Sequence, residues 1–448
     1  METPKKTTRP RMVAALIETF GLNPTVAFVI VILSALIGLF AVYWIVQSAP
    51  PRTLVLSSGP SGSAFEHYAV AYEKILASNG VALRVLPSKG SLENLQRLES
   101  SQSGVDIGFV QGGIAAGADL SALVSLGSIA YEPLWVFYRS PARINRLAEL
   151  SGKRIAVGTL GSGTHALALT LLQTNGITSG SSALLDLDSE AAAAGLMEGK
   201  LDAIFLMGDS ASRQTLRALL RSPEVNLYAF TQADAYSRRF AYLNKMELPE
   251  GSIDLEKDLP AQDIELIGPT VELVARTGLH PALSDLLLQV AQEVHGKAGL
   301  LQKRGEFPAP LEHEFKISED ALRYYRSGKG LLYRTVHSFW LASLLNRILV
   351  VFVPTLLVLY PTIRFLPVAY RWRIQLRIYR CYRPLLHLER EASGTLTREQ
   401  EQELVRRLDE IEKAVNGLRV PAYFADQFYG LRGHLAFVRA RLKVAGRV

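Results

Sequence analysis

Two turns rich in glycine and hydroxyl residues hold the side chains of this sequence that are best spaced for chemistry. The first, SSGPSGSAF, covers residues 57–65, and the second, GTLGSGTHA, covers residues 158–166. Each follows a predicted strand and precedes a predicted helix. The first amides of a helix have no partner within the helix and carry partial positive charge, so such turns can hold a small polar or anionic ligand. An ordinary helix cap explains the first turn equally well.

The second turn also matches a dinucleotide fingerprint, with Gly161, Gly163 and Ala166 at the GxGxxG/A positions and acidic residues further on in LLDLD. A single fingerprint is a weak signal for a dinucleotide site. Binding of a small anion at a helix start is a simpler interpretation of the same residues. The first turn lacks the lysine of a P-loop, and CxxC, HExxH, EF-hand and GxSxG spacings do not occur. We therefore expect no cofactor, no metal and no enzyme activity.

Short apolar runs alternate with amphipathic runs between Arg52 and about Arg326, which is the pattern of an α/β region. The predicted strands cover 53–57, 82–86, 105–111, 131–140 and 265–273, and the predicted helices cover 64–77, 91–100 and 281–295. We interpret the region as two lobes, the second (about 138–235) being inserted into the first. Two crossings between lobes would form a hinge, and the cleft between them is a natural ligand site.

Two apolar stretches, residues 24–46 and 338–363, flank this region, and each is long enough for a helix that crosses a bilayer. For the first stretch the alternative is a cleaved signal peptide, whose apolar part is usually shorter. The second stretch contains Arg347. Its guanidinium either extends to the membrane surface or faces a protein partner.

The excess of positive charge lies before the first apolar stretch and after the second, not in the region between them. Of 49 Lys and Arg and 42 Asp and Glu, 17 and 9 lie from Arg364 onward and 4 and 2 lie before Pro24, which leaves 28 and 31 between. The bias of basic residues towards the cytoplasm predicts that residues 1–23 and 364–448 lie on the cytoplasmic side of a bacterial cytoplasmic membrane and that residues 52–330 lie in the periplasm. Attraction to anionic lipid explains the basic excess, and we expect no nucleic-acid partner.

The tail after the second stretch carries the signals of an antiparallel α-helical hairpin. Thr397 and Gln400 form a capping box. Apolar residues then repeat every three or four positions over 404–418 and again over 424–442, which predicts two helices with one shared apolar seam. The seam is either buried between the two helices or offered to a partner. Cys381 precedes the hairpin. Because it is the one cysteine of the chain, no intrachain disulfide can form.

Five stretches, in order, resemble the TAXI family of solute receptors, the extracytoplasmic binding subunits associated with TRAP transporters. They are LVLSSGPSGSAFEHYAVAYEKIL, LPSKGSLENLQRLESSQSGVDIGFVQGG, YEPLWVFYRS, LSGKRIAVGTLGSGTHALALTLLQTNGI and MEGKLDAIFL. The resemblance implies a two-lobed periplasmic-binding-protein type II fold that closes over a small organic anion, such as a dicarboxylate or an amino acid. The ligand contacts that it implies are Ser57, Gly59, Ser63, Phe65, Ser91, Asn94, Gln111, Tyr131, Ser162, Gly163 and Thr164.

Residues and resemblance together predict a membrane-anchored solute-binding receptor with an α/β fold, two transmembrane helices and a C-terminal helical hairpin. Its expected partners are membrane lipid, a small organic anion and the integral-membrane permease subunits of a TRAP-type transporter, because two spans are too few for a transporter core. The alternative is a signalling receptor that reports occupancy through its cytoplasmic helical tail.

Overall fold

The computed structural model describes residues 12, 24–336, 338–394, 397–418, 420 and 424–445. The strands are β1 (Thr53–Ser57), β2 (Ala82–Leu86), β3 (Ile107–Gln111), β4 (Leu123–Tyr131), β5 (Trp135–Tyr138), β6 (Arg154–Ala156), β7 (Ala183–Leu185), β8 (Ala203–Leu206), β9 (Asn226–Leu227), β10 (Asn244–Leu248), β11 (Ile264–Gly268) and β12 (Thr270–Arg276). The α-helices are α1 (Pro24–Gln47), α2 (Ala64–Ser78), α3 (Ser91–Glu99), α4 (Gly163–Thr174), α5 (Ser189–Met197), α6 (Arg213–Leu220), α7 (Ala233–Arg239), α8 (Pro281–His295), α9 (Glu319–Ser327), α10 (Leu331–Thr335), α11 (Phe339–Glu391), α12 (Arg398–Asn416) and α13 (Ala425–Ala445).

The first lobe is built on a five-stranded sheet with the order β2-β1-β3-β12-β4. Strands β1, β2 and β3 are parallel, whereas β12 runs antiparallel to β3 and β4. Every residue of β3 is buried, because helices cover both faces of the sheet. Phe109 packs with side chains of α2 and α8, and its neighbour Val110 packs with Leu95 and Leu98 of α3.

The second lobe repeats this plan with a sheet of the order β7-β6-β8-β5-β9. Strand β6 is parallel to β7 and β8, and β5 returns antiparallel to β8 and β9. Ile155 and Phe205 pack with α4 on one face, while Ala156 and Ile204 pack with α5 on the other. In both lobes, helices that follow a parallel strand therefore begin at the same edge of the sheet, where ligands of such folds bind.

The chain crosses between the lobes on two adjacent segments. The predicted single strand over 265–273 is wrong: it divides at Pro269 into β11, which pairs with β10 of the second lobe, and β12, which belongs to the first. Gly268 lies against the backbone of Glu132 in the other crossing segment, so closely that a Cβ would overlap it. The second lobe thus covers about 133–268 and is larger than the predicted 138–235, because β5 and the β10–β11 pair are part of it.

The architecture confirms the predicted fold class, a two-lobed α/β structure of the periplasmic-binding-protein type. In each lobe, the first strand after the chain crosses from the other lobe is antiparallel to its neighbours in the sheet. This strand is β12 in the first lobe and β5 in the second. Insertion of one lobe into the other requires two crossings, and in two-lobed proteins such crossings are where a hinge lies.

Among the described residues, two helices are apolar and long enough to cross a membrane, over Ala27–Gln47 and over Phe339–Val358. Most of their large apolar side chains are exposed, which is what a lipid-facing surface requires. Arg347, within the second span, donates from Nη1 to the carbonyl oxygen of Ile45 in the last turn of α1 at 2.5 Å. This contact lies within the same chain and near the end of the first span, so both alternatives for Arg347 stay predictions. The predicted basic N-terminal flank, including Lys5 and Arg9, lies outside the described residues.

The two predicted tail helices, α12 and α13, pack on each other and also on the second half of α11, so the tail is a three-helix bundle. The apolar seam of α12 and α13 is buried as predicted from its spacing, but the second half of α11 packs into the same core. The side chains buried in this core are those of Ile374, Ile378, Leu385, Leu388, Leu404, Leu408, Val415, Leu431, Leu435, Val438 and Leu442, among others. Residues after 364 that were predicted only as a basic flank therefore continue α11 and contribute one of the three helices.

Candidate functional site

The two lobes meet along the ends of their parallel strands, and most of the predicted ligand-binding residues lie at this contact. Backbone bonds join the lobes directly. The amide of Ala64 donates to Gly208 at 2.8 Å, and the amide of Glu93 donates to Gly161 at 2.9 Å. The described arrangement is therefore a closed one, in which amides at helix starts of the first lobe are paired with carbonyls of the second.

The first glycine- and serine-rich turn forms the start of α2. Ser63 caps the helix by accepting from the amide of Glu66 at 3.2 Å, and its own side chain is fully buried. Gly59 packs against Ser63 and the backbone of Asp209, where a Cβ would meet both. The turn is thus an ordinary cap and, at the same time, a surface on which the second lobe closes.

Ser57 and Asn94 hold the first lobe together. Ser57 Oγ donates to Asn94 Oδ1 at 2.6 Å, and Asn94 Nδ2 donates to the carbonyls of Ser58 at 2.6 Å and Phe109 at 2.9 Å. Both side chains are fully buried. Because these contacts use the polar atoms of Asn94, the residue fixes α3 onto β1 and β3 in the closed arrangement.

The carboxylate of Asp209 lies between the lobes and takes donors from both. Its Oδ2 accepts from the amide of Gly163 at 2.6 Å and from the amide of Ser91 at 3.2 Å, which are the first residues of α4 and α3. Its Oδ1 accepts from Thr164 Oγ1 at 2.8 Å. Burial raises the pKa of Asp209, and hydrogen bonds from Thr164, Gly163 and Ser91 oppose that rise. Two helix dipoles and three donors therefore converge on one negative group.

Gln111 connects the same two helix starts from the end of β3. Its amide donates to Ser91 Oγ at 3.3 Å, and its Nε2 donates to the carbonyl of Gly163 at 3.1 Å. Its Oε1 is buried and has no hydrogen-bond partner among the described residues. A buried acceptor without a donor is costly, so this atom marks a place where a donor is missing.

Ser162 caps α4 by accepting from the amide of His165 at 3.1 Å, so its role is that of a helix cap beside the Asp209 site. Phe65 and Tyr131 are not brought to this site. Phe65 is fully buried in the core of the first lobe, against Phe109. Tyr131 donates from its hydroxyl to Glu306 at 2.9 Å.

A second buried carboxylate, Glu132, supports Asp209 from the crossing segment. Glu132 Oε1 accepts from the amide of Asp209 at 2.8 Å. Burial, and then the charge of Asp209, raises the pKa of the Glu132 carboxyl to about 8. The positive charge of Arg213, whose guanidinium lies 5.9 Å from the ring centre of Tyr68, lowers the pKa of Glu132 and partly opposes this rise. At neutral pH Glu132 is therefore mostly protonated.

Sequence reasoning missed both Asp209 and Glu132. Each acid stands beside an apolar strand: Glu132 precedes PLWVF, and Asp209 follows AIFLMG. Acidic residues are almost never fully buried unless they are paired, so burial could not be assumed from the sequence. An acid directly after a buried strand that ends at a predicted cleft is the one signal that could have found Asp209.

Fold and site together define a class: two-lobed α/β proteins of the periplasmic-binding type, here with a carboxylate held between the lobes. Within this class, residues 59–281 match the model of the NMT1-like family, and the match covers parts of both lobes.

Several solved structures match part of this chain, with low sequence identity and TM-scores below 0.5. The aliphatic sulphonate binding protein SsuA from Escherichia coli is 18% identical, with 55% of this chain and 73% of that chain covered and a TM-score of 0.34. PhnD1 from Prochlorococcus marinus, in complex with methylphosphonate, is 12% identical, with 62% and 97% covered and a TM-score of 0.36. A mutant of ArgBP from T. maritima is 12% identical, with 54% and 89% covered and a TM-score of 0.34. At these values the fold is assigned from the strand order and the family match.

Proposed function

We propose that this chain is a membrane-anchored extracytoplasmic receptor for a small carboxylate-bearing solute. The observation that carries the proposal is the pair of amides at Ser91 and Gly163, one from each lobe, that donate to the same carboxylate oxygen. Helix starts from opposite lobes that converge on one anion make lobe closure depend on that anion. Such a cleft is suited to a solute that is captured between the lobes.

The unpaired Oε1 of Gln111 supports a narrower class of solute. This atom lies so close to Gly163 that a Cβ there would overlap it, and the amide of Gly163 already binds the carboxylate. A solute with an N–H or O–H group next to its carboxylate would supply the missing donor. Of the two solute classes that the resemblance implies, an amino acid meets this requirement better than a plain dicarboxylate.

Calorimetry and thermal shift on the full-length chain in detergent, with a panel of amino acids, hydroxy acids and dicarboxylates, test the proposal. Ser91→Pro removes the amide donor at a first helical position, where proline is tolerated, and Ser91→Ala keeps that donor. We expect the proline variant to lose solute binding by tenfold or more, while the alanine variant loses less. A panel that gives neither heat nor thermal shift with wild type would contradict the proposal.

The anchor and the orientation are part of the same proposal. The two candidate spans bracket the lobes, and the basic flanks favour cytoplasmic termini. Cys381, the single cysteine, provides the test, because it follows the second span. A membrane-impermeant maleimide added to intact spheroplasts should spare Cys381 and label a Glu73→Cys variant that carries Cys381→Ser. The reverse labelling pattern would overturn the orientation.

The partner that we propose is a TRAP-type permease, which follows from the TAXI-like stretches. A signalling receptor is the second candidate, and the observation that favours it is the continuity of α11, whose 53 residues extend about 80 Å from the predicted span into the tail bundle. Crosslinking the full-length chain in its native membrane distinguishes the two: permease subunits support transport, and a cytoplasmic kinase or response protein supports signalling.

A further inference from the structure

We propose that the carboxylate of Asp209 is an internal ligand, which takes the place of a solute carboxylate and closes the two lobes when no solute is present. The inference concerns the cleft of the proposed function but does not depend on the identity of the solute. Asp209 accepts from Gly163 at 2.6 Å, from Thr164 at 2.8 Å and from Ser91 at 3.2 Å, and its side chain is fully buried. The anion-binding donors of the cleft are thus occupied by the protein itself.

The first lobe is shaped to admit this carboxylate. Gly90, which precedes α3, has a φ of 128°, and a Cβ at this position would overlap Asp209 Oδ2. Gly59 in the other turn of the same lobe leaves room for the backbone of Asp209, from which a Cβ would be 2.8 Å away. Two positions without a side chain, on separate loops, therefore form the space into which the loop after β8 inserts.

The internal ligand does not satisfy every buried polar group of the cleft. The buried Oε1 of Gln111 has no donor among the described residues, although it adjoins the residue whose amide binds Asp209. A carboxylate supplied by an aspartate side chain brings no N–H or O–H group of its own, whereas a solute can. A solute that enters must displace Asp209 from Ser91 and Gly163, so binding exchanges one carboxylate for another and adds a donor for Gln111.

This exchange changes what a solute does to the receptor. In a simple two-lobed receptor the solute closes an open cleft, and closure reports occupancy. If Asp209 holds these donors, closure does not need a solute, and a solute must first compete with a tethered carboxylate of high local concentration. Removal of the Asp209 carboxylate should therefore open the lobes and leave a vacant anion site that accepts small free carboxylates.

The test uses full-length protein in detergent, with spin labels on Glu73→Cys and Gln173→Cys in a Cys381→Ser background. These labelled positions are exposed and lie on α2 of the first lobe and α4 of the second. Wild type without solute should show one short inter-label distance. Asp209→Ala should show a broader and longer distribution, and formate or acetate should restore the short distance.

Thermal shift gives a second readout of the same site. At about 100 mM formate, we expect the melting temperature of Asp209→Ala to rise by about 4 °C over the same concentration of chloride. Asp234→Ala, an exposed aspartate of the second lobe, is the matched control and should respond like wild type, by less than about 1 °C. If Asp209→Ala does not fold, Asp209→Asn keeps the shape without the charge and should still lengthen the inter-label distance.

The outcomes separate this inference from the proposed function. If wild type binds no solute of the panel but formate closes Asp209→Ala, the internal ligand stands and the receptor proposal fails. If wild type binds a solute with the same affinity and the same label distances as Asp209→Ala, the receptor proposal stands and the internal ligand is overturned. An open wild type without solute, or an equal response of wild type and Asp209→Ala to formate, also overturns it.

Discussion

The contact between the lobes is formed by hydrogen bonds, whereas the core of the C-terminal bundle is formed by packing of apolar side chains. Across the lobes, the amides of Ala64 and Glu93, the side chain of Gln111 and the carboxylate of Asp209 form hydrogen bonds. In the bundle, leucine, isoleucine and valine side chains from three helices pack together. A hydrogen bond that is broken on opening is replaced by one to water, at a net cost of about 1 kcal/mol, whereas exposing a buried leucine costs about 2 kcal/mol with no replacement.

The difference teaches which part of the molecule can move. A polar contact can open and close reversibly, because water satisfies the same groups in the open state. An apolar core of three helices loses its stability as soon as it is opened. The cleft is thus fitted for exchange of a ligand, and the bundle is fitted to remain assembled. The following predictions test this contrast, beginning with the largest expected effect.

Leu431→Ala should lower the free energy of unfolding of the bundle by about 3 kcal/mol, because Leu431 is fully buried among three helices. Hydrogen exchange of the full-length chain should show faster exchange in α11–α13 and unchanged exchange in the lobes. Phe437, on the same helix, is 55% exposed and provides the control, since Phe437→Ala should change exchange little. Equal effects of the two variants would mean that the apolar core does not stabilise the tail.

Glu132→Gln should stabilise the lobes at pH 8 by about 2 kcal/mol relative to wild type and have little effect at pH 4. The pKa of Glu132 is raised from 4.5 to about 8, so its contribution to stability is complete below pH 4.5 and is lost as the pH rises to 8. The effect falls short of the full pKa shift, because water reaches the site when the lobes open. Melting temperatures measured from pH 4 to pH 9 check this.

An exposed glutamate provides the control for the pH experiment. Glu73→Gln on α2 should follow the wild-type pH profile. A Glu132→Gln profile that parallels wild type would show that the Glu132 carboxyl is ionised in the closed cleft. The contact between the lobes would then contain no protonated buried acid.

Gly163→Ala should open the lobes without harming α4. Gly163 has ordinary helical backbone geometry, so alanine favours the helix itself. In the closed state, however, the added Cβ would overlap Gln111 Oε1, at an expected cost of about 2 kcal/mol. The spin-label distance between the lobes should lengthen, and Gly163→Ala combined with Gln111→Ala should return it to near the wild-type value. No recovery in the double variant would show that the overlap is not between these residues.

The sequence predicted the elements well and the contents of the cleft poorly. Strand 53–57, strand 82–86, the helix start at Ser91 and helix 281–295 follow from local periodicity and caps, and the structure confirms them. The strand predicted over 265–273 failed because its two halves pair in different lobes. That pairing is a long-range property, on which local periodicity carries no information.

For the site, too, the sequence indicated the local residues but not the long-range contact. The resemblance led to Ser91, Gly163 and Thr164, which donate to the carboxylate of Asp209, and to Gln111, which bonds to Ser91 and Gly163. It could not indicate that the carboxylate belongs to Asp209, because the contact depends on how the loop after β8 inserts between two lobes. Whether those residues bind a solute stays a prediction for the experiments above.

The smallest expected effect concerns Arg347, where the sign of the change is more informative than its size. Arg347→Leu removes a charge from a predicted span, and it also removes the bond to the carbonyl of Ile45 at the end of α1. If that bond is what satisfies the guanidinium, the variant should lower the stability of the helix pair by about 1 kcal/mol, in the range of interhelical hydrogen bonds in membranes. If the guanidinium is mainly in contact with lipid, removal of the charge should raise the stability instead. Thermal unfolding in nanodiscs distinguishes the two signs, and Arg347→Lys, which keeps the charge but loses the planar donor group, should lie between wild type and Arg347→Leu.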